Sequence, residues 1–445
     1  MTNELANNQM KSVKNIFKIL LVVCVITLAT YIYSSINEDN TVKDLRAAPR
    51  DNRVCRDIFE IGRRSKNMSS MIDLAVKLIK RKREKKLFMP QVFYEIVGYE
   101  SPSMIRKVTD GSGLQHTNFT ISKTWRFQQT QGQLPHLACR MREMQAEDLR
   151  MCVARRHESV GSTHIAYVGD SRIRQHLEVL LDLIRSLQPR ITTHLGEVIT
   201  VETFLGEEGL KNWRKYKHNF RVECSQAPGL IVDFHWAAFI DRGQTPRNEG
   251  DVMVGALDLL HRWIKAPQDQ IPDIIVLNTG AWQLMDIKPT VLQQIDEAAV
   301  SVMSTLRPLL QNLSTRATLV WALPDPFKEY ISHDFSNKGH FTQQENDILE
   351  WLLNAQMELQ PSGVVIWDSF LPVAYASRSD CMHLYDKNIE LNSLPTFSTF
   401  SSQISWHCVE RMHVGLEALS VAVQMVLNHV CNPYMTGDYC CSKFN

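Results

Sequence analysis

The chain has no excess of charge of either sign. Its 49 lysines and arginines face 48 aspartates and glutamates, leaving a net charge of +1. That balance gives no sign of nucleic-acid binding as a main role, since phosphate recognition needs a basic surface. Paired Cys-x-x-Cys knuckles are also missing, so the ten cysteines do not spell a structural zinc site. Cys408, with His407 and His413 nearby, has no structural-zinc spacing either. No tandem repeat or low-complexity tract is present, which removes a repeat architecture.

What remains is the composition of an ordinary globular protein. The 445 residues are 44% hydrophobic and 22% charged, ample for one large core or two smaller ones. The N-terminus departs from this. Residues 16–36 are almost uncharged apart from Lys18, and a bilayer needs about 20 apolar residues. No clear small-residue cleavage signal follows, so the segment reads as an uncleaved signal anchor through which the chain meets a membrane. Lysines and arginines flank it on both sides and leave its orientation open. Two other features point to an oxidising lumen. Asn67, Asn118 and Asn312 are glycosylation sequons, and all cysteines except Cys24 lie beyond the span. Nine is an odd number, so one thiol stays free or pairs between chains. The expected order is a cytoplasmic tail (1–15), the anchor (16–36), a stem and irregular luminal region (37–135) and a luminal domain (136–445). Within the stem, a helical stretch over 71–80 ends in the basic run 80–86, which reads as a solvated helix end.

From about residue 136 the pattern alternates. Apolar strand candidates are Ile165–Val168, Leu230–Phe234, Ile274–Leu277, Leu319–Leu323 and Val364–Trp367. Helical periodicity fills 172–187, 292–313 and 343–359, and a last amphipathic helix runs from about Gly415 to Val430. Strands alternating with helices predict an α/β fold with a mostly parallel sheet covered on both faces. Five strands in a flavodoxin-like order are expected.

The chemistry concentrates at two places. The first strand candidate ends in Gly169-Asp170-Ser171 and leads into a helix, which puts Ser171 at the carboxyl edge of a sheet. Ligands of open α/β sheets collect at that edge, and helix-end N–H groups favour negative charge there. A serine hydroxyl needs a base to take its proton. His413, just before the last helix, is the candidate base, and Glu410 three residues earlier is placed to hold its tautomer. The plainer alternative makes Ser171 a helix cap and Glu410–His413 a solvated pair. A further strand ends in Asn278-Thr279-Gly280, where Asn278 offers an amide to an oxyanion and Gly280 allows close backbone approach. Arg174, one turn past Ser171, is a candidate for substrate binding.

The block Val168-Gly169-Asp170-Ser171-Arg172-Ile173-Arg174-Gln175 resembles the first motif of SGNH/GDSL-type hydrolases. It is most similar to the PC-esterase branch, which includes plant wall-polysaccharide O-acetyltransferases and the luminal domain of sialate O-acetyltransferase, the nearest of these. Cys139 and Cys152, the run 278–282, Asp325-Pro326 and the tail from Cys431 to Cys441 carry the rest of the resemblance, over about 136–445. It implies an SGNH-like three-layer α/β/α sandwich. Ser171 is then the nucleophile and His413 the base, with Asn278 and Gly280 in the oxyanion region. The family's histidine normally follows an Asp at minus three. Here Glu410 holds that place, while Asp380 and His383 keep the Asp-x-x-His form as an alternative acid–base pair. The position of His413 before the last helix and Cys431 fits the family tail. The expected function is a Golgi-type, single-pass type II membrane enzyme, a transferase or esterase for O-acetyl groups of glycans. No bound cofactor or metal is needed. An acetyl donor, ultimately acetyl-CoA, and a multi-spanning delivery partner come in if it is a transferase. The other reading is a catalytically inactive SGNH-like protein that binds glycans or serves a structural role, motivated by Glu410.

Overall fold

An apolar run that ends in glycine forms the centre of the sheet, and the chain is laid out around it. The computed structural model describes residues 58–60, 131–134, 136–212, 215–216, 218–240, 255–279, 292–325, 359–374, 377 and 413–442. All belong to one unit, Val54–Asn445. The elements in chain order are α1 (Ala146–Val160), β1 (Thr163–Gly169), α2 (Ser171–Leu183), β2 (Pro189–Thr193), β3 (Val198–Ile199), α3 (Val201–Leu205), α4 (Glu207–Lys211), β4 (Asn219–Cys224), β5 (Ala227–Trp236), α5 (Ala256–Lys265), β6 (Ile274–Asn278), α6 (Leu292–Ser314), β7 (Thr318–Ala322), β8 (Val365–Trp367) and α7 (Leu416–Cys431).

The described strands form one sheet in the order β3-β2-β4-β5-β1-β6-β7-β8. The five expected strands are there as β1, β5, β6, β7 and β8. They are mutually parallel and ordered as a flavodoxin-like half, with β1 between β5 and β6. The expected five-stranded, mostly parallel sheet is corrected in one respect. The sheet has eight strands and is mixed, because β2, β3 and β4 add an antiparallel extension beside β5. The physical reason is burial on one face only. In β4 the sequence Asn-Phe-Arg-Val-Glu-Cys alternates, with Phe220, Val222 and Cys224 buried and Arg221 and Glu223 exposed. Continuous apolar runs mark strands buried on both faces and pass over such a strand.

Side chains of successive strand residues enter two cores. Ile165, Tyr167, Val232, Phe234 and Val276 pack with α1, α2 and α7 on one face. Ala166, Val168, Ile275, Leu277 and Trp321 pack with α5 and α6 on the other. The helices follow from the sequence. In α2, Ile173, Leu177, Leu180 and Leu181 recur on one stripe, and Asp170 caps the start by accepting from the Arg172 N–H. The expected helices over 172–187, 292–313 and from about 415 to 430 correspond to α2, α6 and α7. Residues 343–358 of the fourth lie outside the described residues, as do the expected anchor and most of the stem. Among the described residues no helix is long and apolar enough to cross a membrane. Ile58 and Phe59, from the segment expected to be stem, are fully buried, and the Phe59 carbonyl accepts from the N–H groups of Asp368 and Ser369.

α7 is buried on nearly every side. Its polar residues are therefore matched to backbone. Gln424 accepts from Met144 N at 2.7 Å and donates to Met144 O at 2.9 Å, and Asn428 treats Arg142 in the same way. Gln424→Leu leaves both Met144 backbone groups buried and unpaired. It is expected to destabilise the protein by about 2–4 kcal/mol, read as a lowered denaturant midpoint.

Two disulfides, Cys139–Cys440 and Cys152–Cys431, join the segment before the sheet to the end of α7 and beyond. Cys441 is also disulfide-bonded. Cys224 is a buried free thiol, pushed up to about 12 by burial. Among the described residues no group of histidines, cysteines and carboxylates is arranged to hold a metal ion.

Candidate active site

β1 turns into α2 through Gly169 and Asp170, and this junction sets the site. On one side Gly169 is level with Trp236 of β5, on the other with Asn278 of β6. These strands diverge in their connections here, the switch point where open α/β sheets bind ligands. A Cβ on Gly169 would stand 1.9 Å from the Asn278 carbonyl oxygen. Glycine is what lets the two strand ends come this close.

Ser171 is the first residue of α2. It is not the cap; the cap is Asp170, whose carboxylate accepts from Arg172 N at 2.9 Å and whose carbonyl accepts from Arg174 N at 3.1 Å. The Ser171 hydroxyl is left for other partners, in the field of a helix N-terminus. His413 precedes α7, which packs against α2 on the same face of the sheet, and its Nε2 lies 2.7 Å from Ser171 Oγ across 242 residues of sequence. Hydroxyl and imidazole are thus within hydrogen-bond reach, the geometry a nucleophile and its base require.

Asn278 ends β6, is buried, and its side-chain oxygen makes no hydrogen bond. Thr279 donates to the Ala237 carbonyl at 2.6 Å, and Ala237 N donates to the Gly169 carbonyl at 2.8 Å. Through these bonds the ends of β5, β1 and β6 form one connected rim. Arg174 is buried one turn along α2. Its Nε donates to Glu178 at 3.2 Å and its guanidinium lies over the Trp236 ring, 5.7 Å from the centroid. Its contacts are therefore with Glu178 and Trp236, not with Ser171 or His413. Asn312 is exposed near the end of α6. Glu410, Gly280, Asp380, His383, Asn67 and Asn118 lie outside the described residues.

Two residues at the rim, Asp170 and Asp325, were given no catalytic role from the sequence, and Arg172 was read there as a substrate-carboxylate binder or a solvated side chain. Asp170 is the cap, and Arg172 reaches across to donate from Nη1 to the Asp325 carbonyl at 3.0 Å, with the Asp325 carboxylate 3.9 Å away. Burial pushes the Asp170 carboxyl above the usual carboxylate range, while Arg172 and His413 pull it back. The available signal was positional, because Asp325 follows strand β7 at the same sheet edge.

No family model matches the chain. A stretch of 122 residues, 27% of this chain, is 29% identical to xyloglucan O-acetyltransferase 2 of Populus trichocarpa, and the match spans 24% of that relative's length. Two solved structures, both catalytic mutants of an acetylxylan esterase from Geobacillus stearothermophilus, align with TM-scores of 0.30 and 0.29. They are 10% and 11% identical, and each alignment covers 62% of this chain and 98% of the other. The sequence match is thus to an O-acetyltransferase, and it spans about a quarter of each chain.

Proposed function

We propose that the protein is an O-acyl transferase or esterase, acting on O-acetyl groups of glycans through an acyl-serine. The observation that carries this reading is the 2.7 Å approach of His413 Nε2 to Ser171 Oγ at the head of α2. The similarity to a xyloglucan O-acetyltransferase adds the chemical class.

In the proposed reaction the Ser171 proton passes to His413 Nε2 as Oγ bonds to the ester carbonyl carbon. The negative charge that forms on the carbonyl oxygen is met by the Asn278 amide and by N–H groups at the start of α2. The carbon–oxygen bond to the first sugar then breaks, and that oxygen leaves with the proton from His413. A second hydroxyl reverses the sequence. If it belongs to water the product is acetate; if it belongs to a sugar the acetyl group has been transferred. Glu410 is assigned to the other imidazole nitrogen, and Gly280 to the backbone beside the oxyanion. Where acetyl comes instead from a donor derived from acetyl-CoA, through a multi-spanning partner, the donor takes the place of the first sugar as leaving group. Residues 16–36 anchor it in the Golgi membrane as a single-pass type II protein with the glycosylated, disulfide-bonded domain in the lumen.

The test uses the full-length chain in membranes and a panel of O-acetylated glycans. Acetate release and transfer to unacetylated acceptor glycans are measured together. Turnover that needs Ser171 is expected. Folded protein that binds glycans, neither releases nor transfers acetyl, and does not react with a serine-directed phosphonate would assign the fold to binding instead.

A further inference from the structure

Cys441 is disulfide-bonded, and its partner is not one of the described residues. The other described cysteines are accounted for: Cys139 holds Cys440, Cys152 holds Cys431, and Cys224 is a buried free thiol. The cysteines left in the chain are Cys24, Cys55, Cys381 and Cys408.

Two observations choose among them. The first is order. Cys152 pairs with Cys431 and Cys139 with Cys440, so the bonds are nested, and the earlier the first cysteine, the later its partner. The next step outward joins Cys55 to Cys441. The second is position. Ile58 and Phe59 are fully buried. The Phe59 ring lies 5.0 Å from the ring of His429 in the last turn of α7, and Ser369 Oγ donates to the Ile58 carbonyl at 2.6 Å. One turn beyond His429, Asn432 Nδ2 donates at 2.7 Å to the Cys440 carbonyl, which belongs to the peptide leading into Cys441. Side chains one turn apart are neighbours, so Phe59 and the Cys440–Cys441 peptide meet adjacent positions at the end of α7. Cys55 comes four residues before Phe59, and four residues reach at most about 14 Å. That reach covers neighbouring side chains and the Cα separation of a disulfide, about 4.4–6.8 Å. Cys408 fits neither observation. It comes five residues before His413, which precedes the start of α7, and this helix is about 24 Å long.

We infer that Cys441 is joined to Cys55, and that this bond latches the segment carrying Ile58 and Phe59 against α7. Residues 58–60 belong to no strand of the sheet, and their backbone is held through the Phe59 carbonyl, which accepts from Asp368 and Ser369 N–H, and the Ile58 carbonyl. A covalent tie supplies what a strand ladder would otherwise give. The bond forms by exchange with an oxidised thiol–disulfide oxidoreductase or a small-molecule disulfide. One thiolate attacks the oxidant's S–S bond and forms a mixed disulfide. The second thiolate then attacks the protein sulfur, and the oxidant, reduced by two electrons, leaves as two thiols carrying the two protons. The inference does not rest on the acyl-serine chemistry.

In the test, free thiols of the full-length chain are blocked with N-ethylmaleimide, the chain is digested without reduction, and linked peptides are identified by mass spectrometry. An intact Cys152–Cys431 link in the same digest shows that the sample is oxidised. The expected product is a three-peptide cluster, in which the peptide with Cys440 and Cys441 holds both the Cys139 peptide and the Cys55 peptide. Cys441→Ser is expected to leave Cys139 attached and Cys55 blocked. Cys55→Ser is expected to speed amide hydrogen exchange around Ile58 about tenfold or more. Blocked Cys55 in the parent chain, or Cys441 linked to Cys24, Cys381 or Cys408, overturns the pairing. Unchanged exchange around Ile58 in Cys55→Ser overturns the latch. The parent digest decides the pairing even where a variant does not fold, and a Cys55→Ser chain that cannot fold beside a linked parent is the latch effect at its largest. If Ser171 fails to react with a phosphonate, the acyl-serine reading falls and the cross-link stands.

Discussion

Ser171→Ala is expected to abolish phosphonate labelling and all but a trace of acetyl turnover, and His413→Ala to lower both by about 10⁴- to 10⁶-fold. The size of the effect follows from the two groups acting as a unit. A serine hydroxyl attacks an ester only as its proton leaves, and the described residue poised to take it is His413, 2.7 Å away. Removing either partner therefore removes nearly the whole covalent route. What remains is the contribution of oxyanion donors and binding to direct attack by water, so both variants retain a trace of turnover, while Ser171→Ala loses labelling altogether. Asn278→Ala sits between these limits, with an expected loss of about 10²- to 10³-fold in turnover at little change in binding. The check is steady-state turnover and labelling on variants whose melting curves match the parent. Retention of Ser171-independent turnover would place the chemistry at another residue.

The second large effect is structural in origin. Gly169→Ala sets a methyl carbon 1.9 Å from the Asn278 carbonyl oxygen and 2.8 Å from the Ile173 side chain. The atoms in the way include strand backbone, which has little freedom to yield. Either β1 and β6 separate at their ends, or the variant does not fold. Overpacking of this kind costs about 1–3 kcal/mol where a core relaxes, and more where backbone blocks it. The same displacement moves Asn278 relative to Ser171, and a shift near 1 Å is enough for about a 100-fold loss of rate. The expected result is a lowered melting temperature together with a fall in turnover larger than the loss of folded protein accounts for. Wild-type stability in Gly169→Ala would show that the strand ends are not so closely joined.

The parallel half of the sheet was legible because each of its strands is buried on both faces. Runs such as Ile274-Ile275-Val276-Leu277 have no polar break and can sit only in the middle of a covered sheet. The antiparallel half was not, because Asn219–Cys224 and its neighbours alternate and are short. Ser171 and His413 were legible through the turn chemistry around each and through the helix that follows each. Their neighbours Asp325 and Arg172 were harder to read, since their pairing depends on how far α2 lies from the end of β7, which no local pattern encodes. Arg174 shows the opposite case. It lies one turn past Ser171, its Nε and ring contacts go to Glu178 and Trp236, and its buried Nη1 makes no hydrogen bond, an arrangement decided by packing.

The order of the chain has a consequence for biosynthesis. Ser171 emerges early and His413 late, and the helix that follows His413 and the tail beyond it are tied by Cys431 and Cys440 to Cys152 and Cys139 in the segment before β1. A nascent chain holds the hydroxyl long before His413 stands beside it. On the proposed reading, reactivity begins only when the tail closes the ring, and a product cut short before that point carries the hydroxyl without the histidine meant to wake it.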